Sequence, residues 1–213
     1  MKFDQNCKKC HRLNQFLIQT KKNYPDYYCK PVPSFGDQSA HLLIVGLAPG
    51  MHGANKTGRP FAGDYAGLLL YETLYEFGFS SAAASLNNDQ LELYDCRITN
   101  AVKCLPPQNK PLPLEIKNCN SFLNCEIINL PKKSIILALG TIAHIAVLNA
   151  LGLKKTNYGF AHGSRHELIN GLILYDSYHC SRYNTQTKRL TKSMFQNIFK
   201  LILQERGERN AIY

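Results

Sequence analysis

Cys7 and Cys10 form a Cys-x-x-Cys pair, and Cys104 and Cys119 stand far downstream with fourteen residues between them. Four thiolates suit either tetrahedral zinc or an iron-sulfur cluster. A zinc knuckle would show a second close pair, so the wide spacing of Cys104 and Cys119 weighs against zinc while leaving it open. Cys29, Cys96, Cys125 and Cys180 read as small buried apolar residues, the usual state of a free cysteine. A second chemical signal is the glycine-rich run Val45 to Gly67, in which Gly46, Gly50, Gly53, Gly58 and Gly63 make a loop that a ligand can approach closely. Gly50 to Thr57 differs by one residue from the phosphate-loop pattern Gly-x-x-x-x-Gly-Lys-[Ser/Thr], with Asn55 where the second glycine belongs. Gly58-Arg59-Pro60 follows in place of a helix whose first turn would hold phosphates, so a nucleotide hydrolase is rejected. The third signal is Tyr178 to Thr191, which joins one imidazole to hydroxyl, amide and basic side chains. Ser181, Arg182 and Lys188 suit phosphates while His179 faces a bound base. The same run also reads as a helix start capped by Asn184 or Thr185.

These residues need a scaffold. Four apolar runs of strand length, Leu42–Leu47, Ile98–Val102, Ile135–Leu139 and Leu172–Tyr178, are each followed by a loop and a helical pattern. That alternation predicts a parallel sheet with crossover helices, here Asp64–Phe77, Leu114–Asn129, Thr141–Leu151 and Thr187–Gln204. In the last, Leu190, Met194, Ile198 and Leu201 recur every three or four residues between lysines, as on an amphipathic helix. Cys7–Lys21 reads as a further short helix with Leu13, Phe16 and Leu17 inward, whereas Ser80–Asp95 is polar and irregular and receives no assignment. Open α/β sheets bind ligands beyond the carboxyl ends of their strands. Residues 48–63, 100–113, 140–141 and 179–187 are therefore expected to face one another.

With 213 residues and no Pro/Gly/Ser-rich linker, one domain over 1–213 is expected. The 25 Lys and Arg against 15 Asp and Glu leave a net charge of +10, which suits a polyanion such as nucleic acid or simply a solvated surface. Met1 to Arg12 lacks an apolar signal-peptide core and no 18-residue apolar stretch occurs, so an intracellular, cytoplasmic protein without membrane association is expected. His11, His41, His144 and His166 read as surface or structural histidines. His162, in Phe160-Ala-His-Gly, is placed near the site without a role.

Three long motifs, 46–64, 99–111 and 178–191, together with the four cysteines, resemble the type 5 (UDGb) uracil-DNA glycosylases, iron-sulfur members of the uracil-DNA glycosylase superfamily. The resemblance runs from Cys7 to at least Thr191. It implies a three-layer α/β/α sandwich around a four-stranded parallel sheet and a [4Fe-4S] cluster on Cys7, Cys10, Cys104 and Cys119. It further implies a monofunctional glycosylase that leaves an abasic site. Gly46, Ala48, Gly50 and His52 would line the base pocket, with Phe61 stacking on the flipped base and Asp64 orienting or activating water. Asn100 would read the pyrimidine edge and His179 would donate to its O2. Ser181, Arg182, Tyr183, Asn184, Lys188 and Arg189 would contact DNA, Tyr183 filling the vacated stack. The family's third motif has His-Pro-Ser where this chain has His179-Cys180-Ser181, which restores a backbone N–H and frees φ. The expected partner is uracil-containing DNA, single- or double-stranded, bound by a monomer. A non-catalytic iron-sulfur nucleic-acid-binding protein is the competing expectation, and the presence of Asp64, Asn100 and His179 favours the enzyme.

Overall fold

The computed structural model describes residues 2–85 and 90–210. Its elements run α1 (His11–Asn23), β1 (Phe35–Gly36), β2 (Leu42–Gly46), α2 (Ala54–Thr57), α3 (Tyr65–Glu76), β3 (Cys96–Asn100), α4 (Pro113–Ile128), β4 (Ile135–Leu139), α5 (Thr141–Ala150), β5 (Arg165–Glu167), β6 (Ile173–Ser177), α6 (Arg182–Gln186) and α7 (Lys192–Asn210). The strands form one six-stranded sheet in the order β1-β3-β2-β4-β6-β5. The expected four-stranded parallel sheet is thus corrected to a mixed one. β3, β2, β4 and β6 pair in parallel, and the two- and three-residue strands β1 and β5 add antiparallel edges. Edges so short carry no periodicity that a sequence could reveal.

Burial on both faces makes β2 and β4 continuous apolar runs, as parallel sheets favour, while β3 carries Arg97, Thr99 and Asn100 and β6 ends on Asp176 and Ser177. Leu42, Ile44, Leu137 and Tyr175 point into one core with Leu70 and Leu74 of α3 and Phe195 and Phe199 of α7. The alternate residues Leu43, Val45, Ile136 and Leu174 join Leu123 of α4 and Val147 of α5 on the other face. A third cluster unites Leu13 and Leu17 of α1 with Cys104, Cys119 and Phe122, and Cys7, Cys10 and Phe16 pack against it. Among the described residues no helix is long and apolar enough to cross a membrane.

The expected helix Thr187–Gln204 begins later, at Lys192, and runs on to Asn210 as α7; a separate short helix, α6, precedes it, with Ser181 as its cap accepting the Asn184 N–H at 3.4 Å, and the chain turns between the two at Lys188, whose φ is 57°. The cap is therefore Ser181 and not Asn184 or Thr185. Within Ser80–Asp95, Ser80 bridges Leu93, and Leu91 and Leu93 enter the first core; residues 86–89 lie outside the described residues. The chain passes from β2 out to β3, then returns across β2 to β4. Connections that diverge in this way open a cleft at the carboxyl ends of the strands.

Candidate active site

A cavity of about 400 Å³ occupies that cleft. Leu47, Ala48 and Gly50 line it from the loop after β2, Asn100 from the last position of β3, His179 from beyond β6, and Phe61 and Asp64 from the approach to α3. Of the four segments expected to face one another, residues 48–63, 100–113 and 179–187 thus meet in a single cavity, and 140–141 is not in its lining.

Asp64 occupies the N-cap position of α3, yet its side chain makes no cap hydrogen bond there. The half-buried carboxylate turns back toward the glycine loop and accepts the Ala54 N–H at 3.4 Å. Burial raises its pKa, and the backbone N–H groups of Ala54 and Gly50 and the positive influence of His52 oppose that rise. The loop is shaped around this carboxylate: a Cβ at Gly53 would lie 2.0 Å from Asp64 Cγ, and one at Gly50 would lie 2.6 Å from its Oδ1. Gly46 serves two other site residues, since a Cβ there would lie 2.4 Å from Asn100 Oδ1 and 2.7 Å from the Phe61 ring. These glycines admit the site's own side chains.

Phe61 is buried with φ at 62°, a conformation costly for a bulky residue. The Tyr71 hydroxyl holds the preceding carbonyl, Pro60 O, at 2.8 Å, and Gly67 leaves room for Phe61 O. The ring lies 6.0 Å from that of His179 at an interplanar angle of 26°. Burial lowers the pKa of His179 to about 4, so its imidazole is neutral near pH 7 and has one N–H to donate. Three buried side-chain atoms among the described residues have no hydrogen-bond partner, Asn55 Oδ1, Asn100 Oδ1 and Ser121 Oγ, and of these Asn100 alone belongs to a residue lining this cavity. An acceptor buried without a donor is costly unless a ligand supplies one.

The four cysteines converge beneath α1. Cys104 and Cys119 are buried, Cys7 and Cys10 are half-buried, and burial and mutual repulsion raise the thiol pKa of Cys104. Polar groups that favour thiolates are in place: Lys103 N–H donates to Cys119 Sγ at 3.4 Å and the Asn118 amide to Cys10 Sγ at 3.5 Å. Burial raises the Cys119 thiol pKa, and the Lys103 N–H together with the buried Lys103 ammonium, paired with Glu126 at 2.9 Å, opposes that rise.

The sequence signature of the Uracil DNA glycosylase superfamily matches residues 33–203. A type-5 uracil-DNA glycosylase of Thermus thermophilus is 45% identical over 197 residues, covering 90% of this chain and 90% of the relative. The chain belongs to the type-5 branch of the uracil-DNA glycosylase superfamily. A type-5 relative from Pyrobaculum aerophilum is 37% identical over 209 residues, 95% of this chain and 90% of its own. A type-4 uracil-DNA glycosylase of Archaeoglobus fulgidus is 32% identical over 164 residues, 76% of this chain and 69% of its own.

Not every residue singled out for a glycosylase role lines the cavity. His52 is exposed and bonds the Tyr27 hydroxyl at 3.0 Å. In the loop expected on DNA, Ser181 and Arg182 line the cavity, Arg182 lies 4.8 Å over the Tyr65 ring, and Tyr183 is 70% exposed. Lys188 and Arg189 are exposed, Arg189 lying 4.6 Å over Tyr178. Asn184 is turned inward, its amide donating to His179 O at 2.8 Å and its carbonyl accepting Leu190 N–H at 3.0 Å. It braces the histidine loop. Asn109, which was missed, lines the cavity, and His162, expected near the site without a role, accepts the Tyr178 N–H at 3.2 Å, one residue before His179. Asn109 lies inside the second motif, the one signal that could have found it. His144 and His166 both bond Asp176, at 2.8 and 3.0 Å, and His41 bonds Asp95, which makes all three structural.

Proposed function

We propose that the chain hydrolyses the N-glycosidic bond of deoxyuridine in DNA, leaving an abasic site. The observation that carries this reading is the unpartnered Asn100 Oδ1 in a cavity shared with Phe61, Asp64 and neutral His179. Uracil offers a ring N–H to that acceptor, a face to Phe61 and O2 to an imidazole donor. Such chemistry needs the nucleotide out of the duplex, because a stacked base hides the sugar carbon. As the C1′–N1 bond breaks, its electron pair leaves with uracil N1 and spreads to O2, and the sugar becomes cationic. The His179 N–H meets the charge at O2, and removal of one such donor typically costs about 10²–10³ in rate. The Asp64 carboxylate stabilises the cation and orients the water that adds at C1′, accepting its proton.

Cys7, Cys10, Cys104 and Cys119 would hold a [4Fe-4S] cluster, whose part is to tie the N-terminal segment and α1 to the segment after β3. The same reading takes residues 1–213 as one glycosylase unit. It is a three-layer α/β/α sandwich on the four inner parallel strands, working as a monomer in the cytoplasm on single- or double-stranded DNA. Incubation of the brown, cluster-loaded protein with a uracil-containing oligonucleotide, followed by alkali, tests the activity. Strand cleavage at uracil is expected, together with its loss by about 10²-fold in Asn100→Ala. An absence of abasic product from loaded protein would establish the non-catalytic alternative.

A further inference from the structure

A second basic surface adjoins the loop that holds Asp64. The last turn of α1 carries Lys21 and Lys22, and the chain then runs through Tyr24, Asp26 and Tyr27 to Lys30. A groove of about 530 Å³ opens here, and Lys8, Lys21, Lys22 and Lys30 all line it. Beside it Tyr24 and Tyr27 stack with ring centroids 4.6 Å apart, Tyr24 remaining 38% exposed, and the Lys56 ammonium lies 5.5 Å from the Tyr27 ring. Lysines interleaved with exposed aromatic faces match the sequence-independent grip on unpaired nucleic acid, phosphates on cations and bases on rings.

This surface is continuous with the cavity through α2. Tyr28 and Cys29 donate their backbone N–H groups to Lys56 O and Asn55 O, both at 3.1 Å, and the Asn55 amide reaches Cys29 Sγ at 3.4 Å. The first N–H of the same short helix, from Ala54, is held by Asp64. A strand that delivers a nucleotide to Asp64 thus finds this charge within reach on one flank, while the exposed Arg182, Lys188 and Arg189 lie beyond His179. Extrusion costs stacking energy, and a grip on both flanks supplies more of it than a grip on one.

We propose that Lys22, Lys30 and Tyr24, with Lys21, form a second DNA contact that grips the strand on one side of the extruded nucleotide. The lysines take its phosphates and the Tyr24 face takes an unpaired base. The proposal rests on the glycosylase reading of the cavity.

The test uses the cluster-loaded full chain and single-stranded oligonucleotides carrying 2′-fluoro-deoxyuridine, a nucleotide whose glycosidic bond resists cleavage because the fluorine destabilises the sugar cation, with a long arm on the 5′ side, the 3′ side or both. Affinity is measured by fluorescence anisotropy across a salt series for wild type, Lys22→Ala/Lys30→Ala and Tyr24→Ala. Lys21 is left in place because its ammonium holds Tyr27 O at 2.5 Å. The double variant is expected to bind about tenfold more weakly at low salt, with a salt slope shallower by about 1.4, two phosphates at roughly 0.7 each. Tyr24→Ala is expected to weaken binding about tenfold without changing the slope. Both losses should vanish once one particular arm is removed. Lys154→Ala/Lys155→Ala, on the connection after α5, should keep the wild-type slope. Unchanged affinity in the variants, or losses equal for every arm arrangement, would overturn the proposal, the second pointing to diffuse charge alone. A surface serving an acidic protein instead would appear as unchanged affinity. Excision by wild-type protein is scored separately, so failure of the glycosylase reading shows as missing abasic product whatever the arm dependence.

Discussion

Replacing Gly53 by alanine tests whether the loop glycines exist to make room for one carboxylate. The new Cβ would lie 2.0 Å from both Cγ and Oδ1 of Asp64 and 2.3 Å from Oδ2. Ordinary contacts are about 3.5 Å, so the carboxylate or the loop must move by about 1.5 Å. Misplacing a reacting group by about 1 Å costs on the order of 10²-fold, equivalent to about 2.7 kcal/mol of barrier. Single-turnover excision of uracil from an oligonucleotide is therefore expected to slow about 100-fold in Gly53→Ala. Gly50→Ala, whose Cβ would meet Oδ1 at 2.6 Å and Oδ2 at 3.0 Å, needs a shift of under about 1 Å and should fall between that variant and wild type. The decisive measurement is the double-mutant cycle with Asp64→Ala. With the carboxylate gone the clash has no partner, so Gly53→Ala should cost nothing further, while any backbone cost at residue 53 enters both backgrounds and cancels. Losses that multiply in the double variant, or a Gly53→Ala protein with the wild-type rate, would refute the reasoning.

Burial raises the Asp64 pKa, so the folded chain binds that proton more tightly than the unfolded chain; the stability this supplies is present at low pH and lost as pH rises through the raised value. Asp64→Asn should accordingly raise Tm at pH 7 while slowing single-turnover excision severely but measurably, and wild-type excision should fall as pH drops through a value above the ordinary 3.8; a lower Tm in the variant would contradict this. His179 has the opposite sign: its pKa is depressed from 6.5 to about 4, so its contribution is present above 6.5 and lost as pH falls toward 4. Scanning calorimetry should show a steeper fall of Tm across that window in wild type than in His179→Gln, and parallel curves would remove the burial argument. Cys104→Ser should lose the visible absorption and the iron of the purified protein and lower Tm, whereas a colourless wild type with one zinc per chain would overturn the cluster assignment.

β2 and β4 were the most legible strands because burial on both faces leaves uninterrupted apolar runs, and Ile135–Leu139 matches to the residue. The strand expected at Ile98–Val102 lies two residues earlier, at Cys96–Asn100, because its register is set by pairing Cys96 with Leu42 and Asn100 with Gly46, a non-local condition. The shift matters, since it makes Asn100 the last residue of β3, at the cavity. The start of α7 was expected at Thr187 because the apolar spacing continues back through Leu190, and the short helix α6 ahead of it, capped by Ser181, was not foreseen. Asn55, which excludes a phosphate loop by residue type, proves to stitch the α1–β1 connection to α2, a role no local pattern could disclose.

By itself the sequence determined the chemistry available: four thiols, one imidazole in a basic polar loop, a carboxylate beside glycines, and strands that bring their carboxyl ends together. Residue type and local spacing suffice for that, because they depend on covalent chemistry and on the periods of helix and strand. Only the tertiary structure decided that Asp64 turns away from its helix into the space left by Gly50 and Gly53 and that His179 is neutral. It also decided that Asn100 holds an unmet acceptor and that His52 and Asn184 face other partners. Protonation, hydrogen-bond satisfaction and steric room are set by neighbours distant in the chain, and those neighbours exist only once the chain has folded.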